Sequence, residues 1–260
     1  MELTRDLEII RYENGKSARE KDIVVREYAL TIFLDGEEFI TLLCSPSNLD
    51  CLVTGFLLSE SIIKSRADIE RIRLDEERGI AEVSTHESGS IAKELHGKRM
   101  MTTGCGKGSS FYSAIDSVYC RKLPEGPEYK VQSLLELMKA FNKSSELFRD
   151  TGGVHSVALA GAEGIVLFHE DVGRHNAMDK IVGEAAIKGL SLSDKLVLTS
   201  GRISSEILIK ASKAGIPVIV SRSAPTDLTV ELAVRLGITV VGFARGNRMN
   251  VYSCPERVKL

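Results

Sequence analysis

Apolar residues recur along this chain with two different periods, and the switches between them mark out the elements. From Asp22 to Phe33 and from Glu37 to Cys44 the residues alternate or run apolar on either side of Leu34-Asp35-Gly36-Glu37, which predicts a β-hairpin about an Asp-Gly turn. Ser47 to Ile63 changes to helical spacing, with Leu52, Phe56 and Ile63 on one face and Ser47 or Asn48 near the cap. Ile69 to Leu74 and Ile80 to Ser84 predict a second hairpin across Asp75 to Gly79. A glycine-rich loop, MTTGCGKGSS, follows, and then Leu123 to Lys130 (LPEGPEYK), whose two prolines and glycine make it the best candidate boundary.

Beyond it, Ser133 to Phe148 reads as a helix. From Val154 the order becomes strand, strand, helix, strand, helix, strand, helix, strand. The strands are His155–Ala160, Ile165–Phe168, Lys195–Thr199, Pro217–Val220 and Thr239–Phe243; the helices are Ala177–Lys188, Ser204–Ala214 and Leu228–Leu236. Short apolar strands alternating with helices predict crossover units and a mostly parallel sheet. The fold class is therefore α/β: a smaller β-rich N-terminal domain over residues 1–125, carrying the cysteine loop at 102–110, and an α/β domain over 130–260.

Composition narrows the function classes. With 260 residues, 43% hydrophobic and 27% charged, the chain can bury a sizeable core as one large or two smaller domains. A net charge of −2 argues against general nucleic-acid binding, though it leaves room for a local basic patch. No apolar run is long enough to span a bilayer, and MELTRDLEIIR is too charged for a signal peptide. Five cysteines (Cys44, Cys51, Cys105, Cys120 and Cys254) without metal spacing predict neither a disulfide framework nor a zinc site, and a reducing cytoplasm fits best.

The candidate chemistry gathers where strands hand over to helices. Glu170 to Lys180, EDVGRHNAMDK, sets acids, Arg174, His175, Asn176 and a lysine behind the apolar run Ile165 to Phe168. There Gly173 allows close backbone approach, and a helix N-terminus offers free N–H groups to an anion. TSGRISSE, SRSAPTDL and FARGNRMN stand in comparable places, so Arg174, Arg202, Arg222, Arg245 and Arg248 should share one rim at the edge where such sheets bind ligands. Taken singly, each loop is explained by caps, turns and solvated arginines; together the four predict a site for a phosphorylated or otherwise anionic ligand. No P-loop or G-x-G-x-x-G is present.

Cys105 is the candidate nucleophile. Gly104, Gly106 and Gly108 leave its thiol unobstructed, and Lys107 favours the thiolate. Cys44, Cys51 and Cys120 read as small buried apolar residues, and Cys254 as incidental. His86 and His96 read as surface residues. His155 and His175 sit at strand or loop ends facing the crevice, where either a ligand-positioning or a structural role is compatible with the sequence. A metal reading of His169 beside Glu170 and Asp171 is weak, because neighbours on a strand point to opposite faces.

TGGVHSVAL, EDVGRHNAMDKIVG, TSGRISSE, IPVIVSRSAPTDLTVELA, GFARGNRMNVYS and the TTGCG loop together resemble the formate dehydrogenase accessory sulfurtransferases, the FdhD family. The resemblance covers most of the chain from Thr102 onward. It implies a cytidine-deaminase-like fold for the C-terminal domain, without the C-x-x-C zinc signature of deaminase chemistry. It also implies a cytoplasmic sulfur carrier that passes persulfide sulfur from a cysteine desulfurase to the molybdenum cofactor before insertion into formate dehydrogenase.

The family's loop usually reads C-G-x-C, whereas here Gly108 takes the second cysteine's place, so the resemblance puts the persulfide on Cys105 alone. The transient ligand it implies is the bis-molybdopterin guanine dinucleotide form of the cofactor. Arg245 and Arg248 would be phosphate forks, with Phe243, Ala244, Gly246 and Asn247 around them, and Arg174, His175, Ser200, Arg202 and Ser223 completing the pocket. A homodimer is implied as well. The alternative reading is a cofactor-binding chaperone that lost sulfur transfer with the second cysteine; a third, a nucleotide hydrolase on the same fold, predicts turnover of guanine nucleotides.

Overall fold

The computed structural model describes residues 1–86 and 122–260. The chain opens with a long ribbon, β1 (Thr4–Glu13) and β2 (Lys16–Val25), turning at Asn14-Gly15, both at positive φ (51° and 76°). The strand expected from Asp22 to Phe33 is instead the last four residues of β2 and then β3 (Tyr28–Leu34), parted at Arg26-Glu27, and no strand is expected before Asp22. The sequence reading misses the rest of this ribbon because the ribbon is largely solvent-exposed, with Tyr12 79% exposed, and so lacks a buried alternation; Asn-Gly was the available signal.

The next unit is a four-stranded sheet, ordered β4-β3-β6-β5, from β3 (Tyr28–Leu34), β4 (Glu37–Cys44), β5 (Ile69–Asp75) and β6 (Ile80–Thr85). Both predicted hairpins form, and β3 pairs in parallel with β6. Asp35 does more than turn the chain: its carboxylate accepts from the Thr85 N–H and hydroxyl, both at 2.8 Å. Helix α1 (Leu49–Ser59) lays Leu52, Val53, Phe56 and Leu57 on Leu30, Ile32, Leu34 and Leu42. It stops four residues earlier than predicted, and Ser61 follows in a left-handed conformation (φ 58°).

The helix predicted over Ser133–Phe148 is two helices, α2 (Val131–Ser144) and α3 (Glu146–Thr151). The break falls at buried Ser145, whose hydroxyl pairs with Ser156 Oγ at 2.9 Å. Glu170 then caps α3, accepting from the Leu147 and Phe148 N–H groups at 3.1 and 3.2 Å.

The large sheet has six strands in the order β13-β12-β11-β10-β8-β9: β8 (His155–Gly161), β9 (Gly164–Asp171), β10 (Leu196–Thr199), β11 (Val218–Ser221), β12 (Thr239–Arg245) and β13 (Arg248–Ser253). Only β10–β11 and β11–β12 pair in parallel, which corrects the expected mostly parallel sheet. The two-residue loops at Ala162-Glu163 and Gly246-Asn247 are too short for a crossover and force hairpins, and β8 wedges between β9 and β10. FARGNRMN is therefore a strand-to-strand turn leading into β13, not the opening of a helix. The crossover logic survives in direction: β9, β10, β11 and β12 all point the same way, joined by α4 (Arg174–Ile187), α5 (Ser205–Ala214) and α6 (Asp227–Leu236).

Those three helices cover one sheet face, against Val157, Leu159, Val197, Ile219 and Val240. Helix α2 covers the other, against Ala158, Ala160, Leu198, Val220 and Val241. A short parallel pair, β7 (Tyr129–Lys130) with β14 (Val258–Lys259), flanks it. Helices α1 and α4 cross between the two sheets at Gly55 and Gly183. A Cβ on Gly55 would fall on the Asp179 carbonyl, and one on Gly183 on the Cys51 carbonyl, so backbone meets backbone there. The architecture is thus mixed α/β with several sheets, the two larger ones joined through a helix pair.

Candidate anion-binding rim

The shared direction of β9 to β12 brings their C-terminal ends to one edge, together with the start of antiparallel β8. That edge carries His155, the first turn of α4, the loop before α5, the loop before α6 and the β12–β13 turn. Strands fix the positions and short hydrogen bonds fix the loops. Ser200 accepts from the Ser156 N–H at 3.0 Å, Ser221 donates to the Gly201 carbonyl at 2.7 Å, and the Ser223 N–H donates to Ser221 at 2.8 Å. The Ile203 N–H donates to the Ala224 carbonyl at 3.0 Å, zipping two loops together. Such a rim is preorganised.

The EDVGRHNAMDK motif divides between two jobs. Helix α4 begins at Arg174, three residues before its predicted start, with Gly173 as N-cap. Asp171 accepts from the Gly173 N–H and the Asn176 amide, both at 2.9 Å, and pairs with Lys180 at 2.6 Å, both charged side chains wholly buried. Asp179 pairs with Lys210 at 2.6 Å, and Glu170 caps α3. His169 reaches Glu184 at 2.6 Å. The acids and the lysine of the motif are therefore fastenings of the fold. Arg174 and His175 are left for the rim.

His155, Arg174 and Gly201 meet: a Cβ on Gly201 would lie 3.5 Å from both the Arg174 Cβ and the His155 Nδ1. Burial and then the charges of Arg174, His175 and Arg202 hold the His155 imidazole below the usual histidine range. Four basic groups thus share one neighbourhood. His175 Nε2 lies 3.0 Å from Glu206, the first-turn acid of α5. Arg174 Nε, His175 Nδ1 and Ser204 Oγ are shut off from solvent without a hydrogen-bond partner among the described residues. Leaving such groups unpaired costs about 1–3 kcal/mol each, which an acceptor-rich ligand could recover after a small movement.

The second half of the rim is aromatic and basic. Phe243 sits at φ 52°, in a bulge of β12, with its N–H donating to the Ser223 carbonyl at 2.9 Å. Arg245 lies 5.8 Å from the Phe243 ring centre and donates through Nε to the Arg222 carbonyl at 2.8 Å. Arg222 in turn lies 5.5 Å from the Phe148 ring. Arg202, Gly246, Asn247 and Arg248 are exposed. Among the described residues, arginine–carboxylate pairs belong to Arg11, Arg73 and Arg149, none of them on the rim. Arginines without a carboxylate partner among the described residues, clustered at helix starts and a hairpin turn on one sheet edge, are suited to an anion.

Several anticipated residues have other duties. Ala244 is fully buried in the core under α2, so only its backbone could meet a ligand. Ser200 and Ser223 brace neighbouring backbone. Glu206 and Phe148 escape the sequence reading because their partnerships arise from segments far apart in the chain. Cys105 and its loop lie outside the described residues, as do His96 and Cys120. Burial pushes the Cys44 and Cys51 thiols up to about 12 and also raises Cys254, whose sulfur is 3.9 Å from the Ala233 carbonyl.

Comparison with known proteins follows the same outline. The model of the FdhD/NarQ family matches residues 25–259. A Bacillus subtilis (strain 168) protein named sulfur carrier protein FdhD is 40% identical over 252 residues, 97% of this chain and 96% of the relative. A Geobacillus kaustophilus (strain HTA426) protein of the same name is 43% identical over 250 residues, 96% of this chain and 95% of the relative. The crystal structure of a Desulfotalea psychrophila protein described as a formate dehydrogenase accessory protein superposes with a TM-score of 0.82 at 25% identity, covering 99% of this chain and 100% of that one.

Proposed function

The chain belongs to the FdhD/NarQ family, and from that we propose that it is a sulfur carrier in the maturation of formate dehydrogenase. The observation that carries the reading is near-full-length similarity to proteins named sulfur carriers, on a fold whose sheet edge gathers arginines that have no carboxylate partner among the described residues. In this reading Cys105 is the carrier. Three of the five cysteines are described, and burial raises the pKa of all three, which is the wrong direction for a nucleophile. The Cys105 thiolate attacks the outer sulfur of a desulfurase persulfide. A new S–S bond forms as the donor's S–S bond breaks, and the donor cysteine leaves as thiolate.

The substrate that receives the sulfur is the molybdenum cofactor in its guanine dinucleotide form. Its phosphates would sit on Arg174, Arg202, Arg245 and Arg248, with the Phe243 ring beside them. The cysteine desulfurase and formate dehydrogenase are the implied partners, the cytoplasm the compartment, a homodimer the assembly and a cytidine-deaminase-like topology the finer description of the C-terminal half. No helix among the described residues is long and apolar enough to cross a membrane.

Gly108, where relatives of this family usually carry a second loop cysteine, favours one other reading: a cofactor chaperone that transfers no sulfur. Intact-mass spectrometry after incubation with a cysteine desulfurase and cysteine separates the two. The carrier gains the mass of one sulfur and Cys105→Ala does not. A wild-type chain that stays unmodified beside a charged two-cysteine relative is a chaperone.

A further inference from the structure

His155 is the titratable group with the most one-sided surroundings on the rim. It opens β8, directly opposite Asp171 of β9, and Gly201 of the β10–α5 loop packs against its ring. From α4 it faces Arg174 and His175, and from the β10–α5 loop Arg202. The acid opposite it offers little relief, because Asp171 is engaged by Lys180 at 2.6 Å and by the Ser45, Gly173 and Asn176 donors. His175 has its own acid in Glu206 at 3.0 Å; among the described residues His155 has none to itself. Its imidazole is only partly buried and makes no side-chain hydrogen bond with the described residues.

We propose that His155 takes up a proton when an anion seats on the rim and then holds that anion as an imidazolium donor. The inference rests on the reading of the rim as an anion site and adds the group that senses the charge. In the free protein burial and then the basic groups around His155 hold its imidazole below the usual histidine range and so favour the neutral ring. A phosphate placed among Arg174, His175 and Arg202 offsets their positive potential at the ring, and the proton comes from solvent. Because the proton binds more tightly in the complex, affinity rises as pH falls from the bound-state pKa to the free-state pKa. The rise is at most about tenfold per pH unit, and the curve flattens below the free-state value. The rim thereby favours ligands that bring full negative charge over neutral ones of the same shape.

Guanosine diphosphate is a suitable probe. Its binding to the full chain is measured calorimetrically near neutral pH in two buffers of different ionisation enthalpy, for wild type and His155→Asn. Protons exchanged by the phosphate itself are common to both proteins and cancel. The expected result is a larger proton uptake by wild type, by a substantial fraction of one proton. Proton NMR of the His155 ring in wild type, titrated with and without saturating guanosine diphosphate, supplies a readout that needs no variant; its midpoint should move to higher pH on binding. Equal uptake by the two proteins, or a His155 midpoint unmoved at saturation, overturns the proposal while leaving the anion rim standing. Failure of wild type to bind the nucleotide at all removes the rim reading and this inference with it.

Discussion

Lys180 Nζ lies 2.6 Å from Asp171 Oδ2 with neither side chain exposed, and this pair joins the two halves of the molecule. The same ammonium donates to the Ser45 carbonyl at 3.1 Å, and the same carboxylate accepts from the Ser45 N–H at 3.0 Å. Through its other oxygen Asp171 also orders Gly173 and Asn176, at the start of the helix that presents Arg174 and His175. One carboxylate thus sets both the seam between the sheets and the first turn of the rim.

Removing either partner should be severe but unequal. Asp171→Leu strands a buried ammonium and three further donors, and should cost about 3–5 kcal/mol or prevent folding. Lys180→Met leaves Asp171 with three donors still in place and should cost less. Urea denaturation of both variants checks the order; equal losses would contradict the donor inventory drawn here.

The crossing of α1 and α4 tolerates no side chain. Gly55→Ala or Gly183→Ala pushes a methyl into backbone carbonyls of the opposite helix. Each should destabilise by about 3 kcal/mol, the upper part of the range for overpacking, with the seam between the sheets loosening first. Denaturation midpoints together with hydrogen exchange of α1 would report this.

Thiol labelling should separate the cysteines. Burial holds Cys44 and Cys51 at about 12, so neither reacts with an alkylating agent in the folded protein near neutral pH, and both react after denaturation. Peptide mapping of the labelled chain gives the answer directly. Rapid native labelling of Cys44 or Cys51 would reopen the choice of sulfur carrier.

Arg174→Ala and Arg202→Ala should each weaken guanosine diphosphate binding about tenfold or more, from charge-assisted hydrogen bonds worth about 1.5–3 kcal/mol. The loss should shrink as salt rises, more for exposed Arg202 than for half-buried Arg174, because exposed charges are screened more. Glu163→Gln, exposed in the β8–β9 turn at the opposite end of the sheet from the rim, serves as the control surface change. Isothermal titration at two salt concentrations checks both trends.

Acid should destabilise the free protein in part through His155. Its folded-state pKa lies below the unfolded value of about 6.5, so the unfolded chain binds the proton first. The stability it contributes is present above that value and is lost as pH falls through the lower folded value. His155→Asn should flatten the dependence of the melting temperature on pH in this window. Saturating nucleotide should flatten it too, because the bound anion restores the proton's welcome in the folded state.

Much of this molecule is legible from the order of its residues. Hydrophobic period alone locates β4 to β6 and every strand and helix from β8 to β12 to within about three residues, because burying one face imposes that period; for β3 it finds the end but not the start. The glycine- and arginine-rich loops announce the rim, because the turns that leave the strand ends need glycine and polar residues there. Tertiary structure decided the rest. It inserted β8 between β9 and β10, made FARGNRMN a hairpin, and split α2 from α3 at Ser145, where Glu170 supplied a cap from a distant strand. It also sorted EDVGRHNAMDK into fastenings of the fold and the two rim residues Arg174 and His175. Sequence shows which groups lie close along the chain, whereas a buried charge is retained only where folding brings it a partner, and Ser45 stands 126 residues from Asp171.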